Sequence, residues 1–131
     1  MPSVRNLYLR IKVANTNISE AEIDALKESL KRCSEKTIEA AVEYRGTKNA
    51  DLVPTIVTGI IERFLEPDMR PQMSSGDDSL ELFNDLGVDS LTMMEIVILV
   101  EEVVGVSIEN EELRDLKSIA DVKAFIRTKL S

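Results

Sequence analysis

From Met93 to Val104 the chain is apolar almost all the way round a helix, and this segment constrains the possible folds more than any other feature. A helix is expected from about Ser90 to Val104, with Gly105 as its stop. At about 100° per residue, Met93, Ile96 or Val97, Val100 and Val104 share one stripe. Leu91, Met94 and Ile98 form a second, flanked by Glu95, Glu101 and Glu102. A helix in a small bundle buries one face, so the second stripe is expected to be exposed and to bind partners, with the carboxylates steering them. The competing reading has another helix of the same chain cover that stripe.

The rest of the chain also reads as helices. Ser19 followed by Glu22 has the form of a capping box. Beyond it Ile23, Leu26, Leu30, Cys33, Thr37, Ala41 and Tyr44 recur at spacings of three and four, which predicts one long helix over 19–45. Asp51 is the expected cap of a helix over 51–65, with Pro54 in its first turn and Val53, Ile56, Val57, Ile60, Ile61 and Phe64 as its apolar face. The Pro-, Ser-, Gly- and Asp-rich stretch 66–79 reads as an acidic loop. A short helix is expected near 110–114, and a last one over 118–130 that starts at Ser118 with Asp121 three residues on. Only residues 6–13 alternate like a strand, through Leu7, Leu9, Ile11 and Val13, with a turn following at Asn15–Asn17. Aromatics supply just 4% of the chain, which suits a helical core built from Leu, Ile, Val and Met.

Composition excludes several classes of function. The chain has no histidine, which removes imidazole as a base or metal ligand; neither a metal site nor a catalytic centre is expected. Its one cysteine, Cys33, cannot pair within the chain and is read as a small core or interface residue in a reducing compartment. No apolar run approaches the ~20 residues of a membrane span, and the N-terminus shows no signal-peptide core, so a cytoplasmic location is expected. The net charge of −8 is concentrated: residues 66–112 carry 13 acidic side chains against one base, Arg70. Such a segment repels nucleic acid and favours protein partners with basic patches.

The chemistry points to Leu86-Gly87-Val88-Asp89-Ser90-Leu91. A glycine allows a tight loop, after which Asp-Ser stands at the head of the apolar helix. Taken alone, a serine there is explained as an N-cap. Its surroundings are Leu82-Phe83-Asn84-Asp85 before the motif, Glu95, Glu101-Glu102, Gly105, Ile108 and Glu111-Glu112 after it, and the closing Ile119-Ala120-Asp121-Val122 with Phe125-Ile126. In this frame the chain resembles the acyl carrier protein family over residues 80–131, and back to about residue 50.

The resemblance implies an all-α fold, a four-helix acyl-carrier-type bundle over 50–131; residues 1–49 have no counterpart in the family and are read as an extension that adds an extra N-terminal helix. It implies that Ser90 bears 4′-phosphopantetheine as a covalent phosphodiester, with Asp89 and Leu91 read by the phosphopantetheinyl transferase. By the same resemblance the helix after Ser90 recognises partners, through Met94, Glu95, Ile98, Glu101 and Glu102. Acyl-transfer, ketosynthase or related enzymes with basic patches would be those partners. The chain would hold acyl groups as thioesters for fatty-acid, specialised-lipid or polyketide synthesis, without being an enzyme itself. A serine at the positive end of a helix dipole is a favourable seat for a phosphodiester anion. Thr92 and Val104 depart from the family pattern, which commonly has an acidic and an aromatic residue there. The rival readings are a peptidyl or aminoacyl carrier, and an unmodified interaction domain in which Ser90 only caps its helix.

Overall fold

The computed structural model describes residues 18–73 and 75–130, and among them it is helical with no strand. The strand-like segment 6–13 and the turn after it lie outside the described residues. In chain order the elements are α1 (Glu20–Ser29), α2 (Glu35–Thr47), a 3-10 turn (Ala50–Leu52), α3 (Val53–Phe64), the short α4 (Arg70–Met73), α5 (Ser90–Val104), α6 (Asn110–Leu113) and α7 (Ile119–Leu130). No helix among the described residues is long and apolar enough to cross a membrane.

The core is organised around α3. Its Val53, Ile56, Val57, Ile60 and Ile61 are all buried, and the helix packs against α2, α5 and α7. The expected cap Asp51 instead donates its backbone N–H to the Asn49 side chain, which heads the 3-10 turn leading into α3. Pro54 sits in the first turn, as its missing N–H favours. At α7 the expected cap is reciprocal: Asp121 N–H donates to Ser118 Oγ at 3.1 Å, and Ser118 N–H donates to Asp121 Oδ2 at 3.0 Å.

The long helix expected over 19–45 is two helices. Ser19 Oγ caps the first by accepting from Glu22 N–H. That helix ends at Leu30, and Ser34 starts the next by accepting from Thr37 N–H at 3.2 Å. The apolar stripe runs through the break without losing phase, so periodicity alone could not reveal it. Ile23, Leu26, Leu30, Thr37, Ala41 and Tyr44 are all buried. Cys33, in the connecting turn, is half-buried, and burial pushes its thiol pKa up.

Two contacts dock this pair onto the bundle. Gly59, in the middle of α3, has no side chain, and Thr37 of α2 fills the space; a Cβ built on Gly59 would lie 1.9 Å from Thr37 Oγ1. At the far end Arg45 Nη2 donates to the carbonyls of Glu102 and Val103, at 2.9 and 3.0 Å, and Tyr44 Oη donates to Val104 O at 3.3 Å. A cation and a phenol thus satisfy the last carbonyls of α5, where the helix dipole favours positive charge. Gly105, at φ +79°, closes the same end by donating its N–H to Glu101 O.

In an exposed helix interior, Gly→Ala stabilises by about 1 kcal/mol. If α2 is seated on α3, the sign reverses: Gly59→Ala is expected to destabilise by roughly 1–3 kcal/mol, since the threonine must be displaced from a packed site. Adding Thr37→Ala should recover part of the loss. Urea unfolding of the single and double variants measures both, and a stabilised Gly59→Ala protein would mean that α2 is not docked.

Candidate functional site

The segment ahead of α5 is a built loop rather than a slack one. Leu82, Leu86 and Val88 point inward and are buried. Leu82 N–H donates to Lys117 O at 2.9 Å and Ile119 N–H to Leu80 O at 3.1 Å, tying the loop to the start of α7. Lys123 and Asp78 add an ion pair at 3.0 Å. Val88 N–H then donates back to Leu82 O, and Gly87, at φ +71°, makes the turn that sends the chain into α5.

The serine read as a possible cap is not the cap. Asp89 is, its carboxylate accepting from Thr92 N–H at 2.7 Å, and that hydrogen bond holds the Asp89 pKa below the ordinary carboxylate range. Ser90 is the first residue of the helix, exposed, and among the described residues its hydroxyl has no hydrogen-bond partner. A carboxylate one residue earlier does the structural work that a serine would otherwise do. The hydroxyl is left for other chemistry.

Ser90 stands on the rim of a groove of about 570 Å³ between α5 and the segment around α6. Phe83, Met93, Met94, Leu113 and Leu116 supply its apolar lining, and Arg114 and Lys117 supply positive charge. The sequence reading did not pick out this groove. Phe83, 45% exposed, is the one available signal: a large aromatic beside the motif that, unlike Leu82, Leu86 and Val88 of the same loop, is not buried.

The expected division of α5 is present, with a wider buried arc. Met93, Ile96, Val97, Val100 and Val104 face the bundle, and Leu99 and Val103 are buried with them on the side that α2 approaches. Leu91, Met94 and Ile98 remain 70%, 40% and 58% exposed, so α1 and α2 do not cover this stripe. The three flanking carboxylates differ. Glu95 is exposed, with no partner among the described residues. Glu101 accepts from Ile108 N–H at 2.8 Å and steadies the turn after α5, while Glu102 accepts from Ser29 Oγ at 2.8 Å and faces the extension.

Residues 57–126 match the family described as "Phosphopantetheine attachment site". The chain belongs to this phosphopantetheine-binding, acyl-carrier family, whose prosthetic group is a covalently attached 4′-phosphopantetheine. The residues present fit such a group, with a hydroxyl that has no partner among the described residues at the head of a 15-residue helix, and with Arg114 and Lys117 outnumbering Glu81 in the groove lining. An acyl carrier protein of Acidothermus cellulolyticus is 36% identical over 77 residues, which span 54% of this chain and 83% of the relative. The meromycolate extension acyl carrier protein of Mycobacterium tuberculosis is 35% identical over 72 residues, 55% of this chain and 62% of that protein. No solved structure matches.

The Asp89 cap has a definite pH signature. Its folded-state pKa is depressed, so its stabilisation is fully present above the unfolded value near 4 and is lost as pH falls through the lower folded value. Asp89→Ala is therefore expected to melt below the parent protein at pH 7, with the gap closing below about pH 4. Circular dichroism across that range measures it, and a gap that persists in acid would place the defect elsewhere than in the charged cap.

Proposed function

We propose that Ser90 is the attachment point for the 4′-phosphopantetheine and that the exposed arc of α5 presents it to partner enzymes. The observation that carries this reading is the uncapped, exposed Ser90 hydroxyl on the rim of an apolar groove. When bound, the prosthetic group supplies a thiol that holds acyl groups as thioesters. The chain's own part is to hold the serine oxygen in the open, to favour the resulting anion with the N-terminal dipole of α5, and to offer nearby apolar surface. Asp89 locks the first turn, and Leu91, the most exposed of the large apolar side chains, stands beside the serine for the transferase to read. No base is required of the chain, because the transferase supplies that chemistry.

The groove suits acyl cargo, since Phe83, Met93, Met94, Leu113 and Leu116 offer an alkyl chain shelter, with Glu81 and Asn84 among the polar groups that also line it. We further propose lipid synthesis as its setting, in line with the mycobacterial relative's name as a meromycolate extension carrier, and a cytoplasmic location. Glu95 is the carboxylate left to steer basic partners, with Met94 and Ile98 as the apolar contact. Glu101 and Glu102 add charge to the same arc while their carboxylates brace the fold.

Incubation with coenzyme A and a broad-specificity phosphopantetheinyl transferase, read by intact mass, tests the assignment. The parent protein should gain one phosphopantetheine, and Ser90→Ala none, with an unchanged melting curve because Ser90 caps nothing. Modification of the alanine variant would overturn the site. In the same assay Glu95→Lys should slow loading about threefold to tenfold at low salt, mainly in the on-rate, and added salt should narrow the difference. Equal rates for the two proteins at every salt concentration would remove Glu95 from the docking face.

A further inference from the structure

On the side of α5 away from the acyl groove, three arginines from different parts of the chain converge. Arg32 comes from the α1–α2 turn, Arg63 from the end of α3 and Arg70 from the start of α4, and the three together line two adjoining open clefts of about 240 and 340 Å³. None makes an ion pair with a described carboxylate. Glu62 lines the smaller cleft and Glu95 the larger, so the local balance remains positive in a chain whose net charge is −8. The cluster has some internal order: the Arg63 guanidinium lies 4.1 Å from the Phe64 ring centroid, and Arg70 Nη2 donates to Arg63 O at 3.4 Å. Gathering like charges without neutralising them costs stability, and an external anion would recover it.

The geometry points to this ledge as a docking surface for the carboxylate-bearing face of a partner protein. The inference rests on reading α5 as the docking helix, because the ledge is continuous with it: Thr92 and Glu95, on the first turns of α5, line the larger cleft beside the arginines. A partner seated on Leu91, Met94 and Ile98 would meet the ledge at its edge. Arg32 and Arg70 are exposed and the clefts are open, which suits a broad protein surface better than an enclosed phosphate. Guanidinium forks pair with carboxylates in two-point hydrogen bonds. Glu95 next to the ledge makes the surface two-signed, so a correct partner must offer a base and an acid in register, and a uniformly basic one is penalised.

Hexaglutamate peptide serves as the acidic probe, titrated at low salt into the full chain with ¹⁵N-labelled arginine. Saturable shifts of the Arg32, Arg63 and Arg70 Nε–H signals are expected, weakened about tenfold or more in R32E/R70E, which changes only exposed side chains. Should that double variant melt early, R32Q alone is compared, with an expected weakening of about threefold. Shifts caused by inorganic phosphate but not by the peptide would overturn the proposal, assigning the ledge to small anions. So would the absence of saturation, or a titration unaltered by the substitutions. Loading of the unaltered protein at Ser90 is scored separately, so a failed ledge and a failed carrier reading give different results.

Discussion

The seat of Thr37 in the space left by Gly59 determines how the N-terminal helices relate to everything else. It brings α2 against α3 more closely than any side chain on α3 would permit at that point. From that position α2 carries Tyr44 and Arg45 to the end of α5, where they satisfy the carbonyls of residues 102–104. The helices α1 and α2 thereby become part of the bundle's core, and α2 braces the helix that begins at Ser90. Thr37, the one buried polar side chain in the described core, does not lose hydrogen bonding there, because its hydroxyl pairs with Ser34 Oγ at 2.9 Å.

This bracing explains how α5 can be apolar nearly all round in water. One arc faces α3 and the bundle, and a neighbouring arc that includes Leu99 and Val103 is covered where α2 approaches. What remains is a narrow strip, Leu91, Met94 and Ile98, edged by carboxylates. A strip of that size is tolerated on a water-facing surface, and it lies beside the exposed Ser90. The charge pattern follows the same logic. The acids of residues 66–112 are partly spent on structure: Asp89 caps α5, Glu101 holds the following turn and Asp78 pairs with Lys123. The surplus, Glu95 among it, colours the exposed surface.

Much of the site was legible in the residues themselves. The period of the 91–104 segment separated a buried from an exposed stripe correctly, because helix geometry converts spacing into direction with little help from the surroundings. The pairing of Ser118 with Asp121 was likewise local enough to read. The roles of Asp89 and Ser90 were harder, since both residue types cap helices and only the backbone conformation decides which of two neighbours does so. The break between α1 and α2 left no trace in a stripe that keeps its phase across Leu30–Ser34.

By itself the sequence determined the helical class, the boundaries of α5, its two faces, and a reactive-type serine set in a family-like frame. These depend on periodicity, capping chemistry and short-range steric preference, each of which acts within a few residues. Tertiary structure alone decided that Glu101 and Glu102 are committed to the fold while Glu95 is not. It also decided that Phe83, Leu113 and Leu116 meet beside Ser90, and that Arg32, Arg63 and Arg70 share one ledge. Each grouping joins segments at least 30 positions apart at its extremes, so it exists only once the chain has packed. Burial free energy is non-directional, so the pattern of apolar residues shows that segments must pack, whereas the fit of particular side chains such as Thr37 against Gly59 selects how they do.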